Sequence, residues 1–85
     1  MSYSVSFEPE AVNDLDNLAQ VMRIRILNKI SWLGINFEQI TPLSLTGKWS
    51  GFYKLRVGDY RIIYELDREN QLIIIIRVGH RREIY

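Results

Sequence analysis

The chain has no cysteine among its 85 residues. That removes disulfides, thiolate nucleophiles and cysteine-held zinc together, so packing alone must hold the fold. Such a chain suits a reducing compartment, and a cytoplasmic location is expected. It has one histidine, His80, which leaves no multi-histidine metal site, and neither a metal nor a cofactor is expected. Long apolar runs are also missing. The longest is Leu72 to Ile76, far below the roughly 20 residues of a membrane span. Met1-Ser2-Tyr3-Ser4-Val5 lacks the basic-then-apolar order of a secretory signal, so no membrane partner is expected.

A chain of this length supports a single domain, residues 1–85. With 47% hydrophobic and 25% charged residues it reads as globular. Net charge is only +1, but it is unevenly spread. Up to residue 47 three basic residues face five acids; from residue 48 onward eight face five. The C-terminal half is therefore the half suited to meet an anion.

Tyr3, Val5 and Phe7 alternate with serines, the pattern of a short strand with one apolar face. Glu8-Pro9-Glu10 suits a first helical turn. Val12, Leu15, Leu18 and Met22 follow helical spacing, and Met22, Leu27, Ile30 and Leu33 continue it to Gly34, read as a C-cap. Residues 9–33 are long for one helix, so two are expected, with a turn near Leu18–Val21. Residues 34–48 read as a loop. Phe52–Val57 and Tyr60–Leu66 then form a hairpin about a Gly58-Asp59 turn. Leu72–Val78 is apolar on both faces, as for a strand covered on both sides; Gly79 is expected to end it and residues 80–85 to form a tail. The order implies an α+β fold: an N-terminal strand, a helical hairpin and a three-strand antiparallel meander, forming one antiparallel sheet with both helices on one face and the other face partly open.

The hairpin register follows from the turn. Val57 lies opposite Tyr60, Arg56 opposite Arg61, Lys54 opposite Ile63 and Tyr53 opposite Tyr64. Alternation then puts Tyr53, Leu55, Val57, Tyr60, Ile62 and Tyr64 on the helix side, and Lys54, Arg56 and Arg61 on the open side. Arginines facing each other across a ladder repel, and a phosphate between them turns repulsion into attraction. The closing segment adds an imidazole at His80, guanidinium groups at Arg81 and Arg82, and a phenol at Tyr85.

Gly58-Asp59-Tyr60-Arg61-Ile62-Ile63-Tyr64 and Gly79-His80-Arg81-Arg82-Glu83-Ile84-Tyr85 carry a resemblance to the RelE/ParE toxin superfamily, and more closely to RelE-type messenger-RNA interferases. The resemblance runs along essentially the whole chain and implies a RelE-like fold. It also implies a metal-independent endoribonuclease toxin of a toxin–antitoxin module, which cuts mRNA in the ribosomal A site and is held in check by a cognate antitoxin. Operator DNA would be met only through that antitoxin. The family's site falls on Lys54, Arg56, Arg61, Arg81 and Tyr85. Arg56 stands where well-known members carry lysine, which keeps charge but not proton transfer. The glutamate base of one subgroup has no counterpart, with Thr41 standing there. By that reading Arg61 and Arg81 stabilise the transition-state phosphate, Lys54, Arg56 and Arg82 hold the backbone, and Tyr85 or His80 moves the proton. Two alternatives share the fold: a ParE-like poison of DNA gyrase, and a non-catalytic member acting in antitoxin binding and operon co-repression.

Overall fold

The structure is a computed structural model that describes residues 2–84. Strand β1 (Ser4–Phe7) leads into helices α1 (Pro9–Asp16) and α2 (Gln20–Asn36). After a 3-10 turn at Phe37–Gln39 come the two-residue strand β2 (Leu43–Ser44) and a second 3-10 turn at Gly47–Trp49. Strands β3 (Tyr53–Val57), β4 (Tyr60–Asp67) and β5 (Leu72–His80) form the meander, and a four-residue helix α3 (Arg81–Ile84) follows. The fold is α+β as expected, with the helical break at residues 17–19 close to the expected turn.

The sheet order is β1-β5-β4-β3-β2, and one pairing differs from the expectation of an all-antiparallel sheet. β1 runs parallel to β5, with Val5 beside Ile73 and Phe7 beside Ile75. The helical hairpin explains this. It carries the chain from β1 to the far edge of the sheet, where β3 starts in the direction of β1; the meander then reverses twice, so β5 arrives beside β1 and parallel to it.

Three local assignments also change. Gly34 is not a C-cap; α2 runs two residues beyond it, to Asn36. Its role is close approach. The Tyr3 N–H donates to the Gly34 carbonyl at 2.9 Å, and a Cβ there would sit 2.9 Å from the Tyr3 carbonyl oxygen and 3.2 Å from Val5 Cγ2. Gly79 does not end β5, which continues to His80. The residues after it form α3 rather than an irregular tail. Within the expected loop, Leu43 and Ser44 pair with Lys54 and Tyr53 to give the sheet an extra edge.

Two apolar clusters fill the two faces. On the helix side, Ile26, Ile30 and Leu33 of α2 and Ala11 and Leu15 of α1 pack on Ile62, Tyr64, Ile73, Ile75 and Val78. On the other side Ile63, Leu45 and Ile84 form a smaller cluster, with Trp49, Phe52 and Ile76 against it. This second cluster explains why β5 is apolar on both faces. Ile75 pairs across from Tyr64 and Arg77 from Ile63, so Ile76 is the extra residue of a β-bulge. Beyond it β1 has ended, and the exposed edge of β5 is covered by one carboxylate. Asp14 accepts the Val78 N–H at 2.9 Å and both Arg77 Nε, at 2.8 Å, and Arg77 Nη2, at 3.2 Å. That bonding holds Arg77 above the ordinary arginine range and gives the edge strand a satisfied N–H.

Two outcomes test this packing. Gly34→Ala meets a backbone oxygen that cannot move without β1. Overpacking costs about 1–3 kcal/mol, against up to about 1 kcal/mol returned by alanine's helix propensity. A net loss on the order of 1 kcal/mol is expected in urea unfolding, and an unchanged midpoint would show that β1 is not seated there. Tyr64 is fully buried, and burial pushes its phenol up from 10.0 to about 12. A group that resists ionising when folded contributes stability that is complete below its unfolded pKa and is lost as pH rises through the folded one. Stability should therefore fall by on the order of 2–3 kcal/mol between about pH 10 and 12. In Tyr64→Phe, titrated alongside, that fall should be smaller by this amount.

Candidate functional site

The site is built on the β3–β4 hairpin. Gly58 takes φ +58° while Asp59 stays out of the left-handed region, the pattern of a type II′ turn, which favours glycine first. This turn fixes Val57 opposite Tyr60, Arg56 opposite Arg61 and Lys54 opposite Ile63, matching the register derived from the sequence. Tyr53, Leu55, Val57, Tyr60, Ile62 and Tyr64 all pack with the helix-side core. Lys54, Arg56 and Arg61 share the face of Ile63, away from α1 and α2. Arg56 is exposed, while Lys54 and Arg61 are half-buried.

That face is open only in part. Arg61 stands opposite Gly79 of β5. A Cβ at Gly79 would lie 2.8 Å from both Cγ1 and Cδ1 of Ile84, so the missing side chain makes the seat in which α3 rests. The Arg81 N–H donates to the Asp59 carbonyl at 2.9 Å and ties the start of α3 to the hairpin turn. Arg81 is thereby brought to the end of the sheet that carries Arg56 and Arg61. Arg81 and Arg82 are both exposed.

His80 is placed elsewhere. It pairs with Tyr60, so it sits on the face opposite Arg61, with its ring edge-on to the Tyr60 ring at 5.5 Å. Its Nδ1 accepts the Arg82 N–H at 3.2 Å, much as a capping side chain serves the first turn of a helix. The structure thus gives His80 a part in holding α3 and does not bring it together with the arginines. Tyr85 lies outside the described residues.

A second basic group lies outside the residues expected from the sequence. Arg25 and Lys29 of α2 border Arg56 across the outer edge of β3. Arg25, Lys29 and Trp32 fall at i, i+4 and i+7, one stripe of a helix, and that spacing was the available signal. It was hidden because α2 is apolar on several sides, with Val21, Ile24, Leu27 and Ile35 exposed.

A small α+β domain with one mixed sheet and two helices on one face is the fold of RelE-like toxins. The family profile described as "ParE toxin of type II toxin-antitoxin system, parDE" matches residues 5–85. The chain belongs to this family, within the RelE/ParE toxin superfamily. It is 33% identical over 89 aligned residues to Toxin RelG of Mycobacterium tuberculosis, covering 100% of this chain and 98% of that protein. Its fold is similar to a chain of the toxin–antitoxin complex RelBE2 of the same organism, at TM-score 0.83 and 26% identity, covering 94% of this chain and 99% of the other. It also resembles a chain of the RelB–RelE antitoxin–toxin complex of Methanococcus jannaschii, at TM-score 0.70 and 30% identity over 94% of each. Among the described residues, no helix is long and apolar enough to cross a membrane.

The opposed arginines give a direct test. Arg56→Ala should raise stability in dilute chloride by a few tenths to about 1 kcal/mol, because it removes like-charge repulsion across the ladder. Inorganic phosphate at matched ionic strength should stabilise the parent chain more than the variant. Equal responses in a thermal melt would show that this face does not gather an anion.

Proposed function

We propose that this chain is the ribonuclease toxin of its module. It would cut messenger RNA on the ribosome by attack of a 2′-hydroxyl on the adjacent phosphate, and a cognate antitoxin would inhibit it. The observation that carries this reading is the charged sheet face, where Arg56 opposes Arg61 in one register step and Lys54 flanks them. Like charges directly opposite in a ladder cost a few tenths to about 1 kcal/mol, and a phosphate bound between them offsets that cost. The relatives solved as toxin–antitoxin complexes support the antitoxin as partner.

The reaction needs stabilisation of phosphorane charge, a base for the 2′-hydroxyl and an acid for the leaving 5′-oxygen. Arg61 and Arg81 would supply the first and act most strongly where water is excluded. Lys54, Arg56 and Arg82 would hold flanking phosphates. With His80 engaged on the other face, Tyr85 becomes the favoured proton carrier, while Arg56 offers charge without proton transfer. So few acid–base groups suit an enzyme whose substrate is oriented by the ribosome, since positioning alone lowers a barrier greatly.

The second reading is a poison of DNA gyrase, favoured by one observation: the matching profile is that of ParE toxins. One experiment separates the two. RNA 5′ ends are mapped across the transcriptome after induction of the parent chain and of Arg61→Ala, Arg81→Ala and Tyr85→Phe. Ribosome-dependent cuts are expected from the parent, and a fall of roughly a hundredfold or more from Arg61→Ala. Growth arrest without cuts, with loss of supercoiling activity in purified gyrase, would establish the gyrase reading instead. Cuts that persist in all three variants would remove these residues from the chemistry.

A further inference from the structure

The open face of the sheet continues past the cations. Arg56 with Arg61 forms the row nearest the hairpin turn, and Lys54 with Ile63 forms the next. Successive rows on one face are two residues apart, about 7 Å. Glu65 falls one row beyond Ile63 on β4, opposite Ile74 of β5. Beside it opens a pocket of about 330 Å³. Phe52, Glu65 and Ile76 wall it on the sheet, and Glu8, Pro9 and Glu10 wall it where β1 runs into α1. None of these residues belongs to the chemistry proposed above.

Phe52 packs with the open-face cluster, and its ring meets Trp49 edge-on at 5.6 Å, which fixes its setting. Phe52 and Glu65 are both half-buried. The Glu65 carboxylate takes part in none of the hydrogen bonds and ion pairs among the described residues. A phosphate cannot enter beside three carboxylates, because like charges repel. A nucleobase can, since it is uncharged and carries N–H donors on its edge. Single-stranded RNA is read in this way, by aromatic contact and hydrogen bonds to unpaired edges. The rows also lead there. A strand whose scissile phosphate lies between Arg56 and Arg61 brings its next phosphate to Lys54, one row on, and a following base to the pocket.

We infer that Phe52 and Glu65 read one base of the RNA beyond the nucleotide that is cut, the ring packing on the base and the carboxylate accepting from its Watson–Crick edge. Glu65 is then a specificity-determining residue. The order of preference follows from the donors. Guanine offers two neighbouring donors, its ring N–H and its amino group, which suit the two carboxylate oxygens together. Adenine and cytosine each offer one amino group beside a ring nitrogen that accepts. Uracil offers one N–H between two carbonyls, which a carboxylate repels. Glu8 and Glu10 keep the backbone out, so the base is the part that enters. An arginine of a partner protein would also satisfy Glu65, but it gives no reason for the cationic rows that lead to the pocket. The inference rests on the reading that this face binds RNA, and not on cleavage.

The test measures binding of the full chain without cutting. Short oligouridines, 2′-O-methylated throughout so that no 2′-hydroxyl can attack, carry one guanine, adenine, cytosine or hypoxanthine, placed at each position in turn. Fluorescence anisotropy should rank guanine about tenfold or more above uracil, with adenine and cytosine between. Hypoxanthine, which lacks the amino group, should fall below guanine. Amide shifts at Phe52, Glu65 and Ile76 should accompany guanine. Glu65→Gln should weaken guanine RNA about tenfold and leave all-uracil RNA unchanged or tighter, since a repelling charge is gone. A merely structural or electrostatic role would move all the sequences alike. Phe52→Leu should weaken every sequence, about tenfold, through lost stacking. The inference is overturned if the bases bind alike, if no oligonucleotide binds, or if Glu65→Gln keeps the ranking. It is also overturned if an arginine-rich peptide shifts Phe52 and Glu65 while guanine RNA does not. Mapped cuts from a chain without this preference would sink the inference and leave the ribonuclease reading standing. A preference in binding from a chain that cuts nothing would do the reverse.

Discussion

The two-residue turn at Gly58-Asp59 sorts the side chains of this protein. A turn one residue longer would shift β3 against β4 by one step, so that Lys54 and Arg56 could no longer share a face with Arg61, and one strand or the other would turn its cations into the helix-side core. Burying even one unpaired cation there would cost a large part of the stability of a fold this size. The turn, the apolar face under α1 and α2 and the cationic face opposite are therefore one constraint seen three times. Glycine is required at its first position because φ there is +58°.

This explains why the hairpin was the most legible part of the sequence. Period-two alternation and a tight turn are local, and together they set the register without any knowledge of the rest. The parallel neighbour of β5 was not legible, because pairing between Val5 and Ile73 leaves no mark near either residue. Both key glycines misled for a related reason. Glycine near a helix end usually marks a stop, and glycine near a strand end often does too. Here Gly34 lets β1 approach α2, and Gly79 makes room for Ile84. Each answers to a residue that only the tertiary structure brings near.

The candidate site divides along the same line. The cations on the sheet face could be read from alternation, and their opposition from the register. His80 stood beside them in sequence, but strand parity puts it on the other face, where it holds the first turn of α3. The helical stripe of Arg25, Lys29 and Trp32 was harder to see. α2 has apolar residues on nearly every side, so no single polar face announces itself.

The parallel pair also bears on how the molecule comes into being. β1 leaves the ribosome before its neighbour β5, with both long helices and the rest of the meander between them. The sheet cannot close while the C-terminal segment is still inside the exit tunnel, and contacts so distant in sequence form late and slowly. During synthesis the helical hairpin has no finished sheet to lie on, and the cationic hairpin has no third strand behind it. The surface that carries the cations is therefore finished only after β5 has emerged, late in the order in which the elements appear.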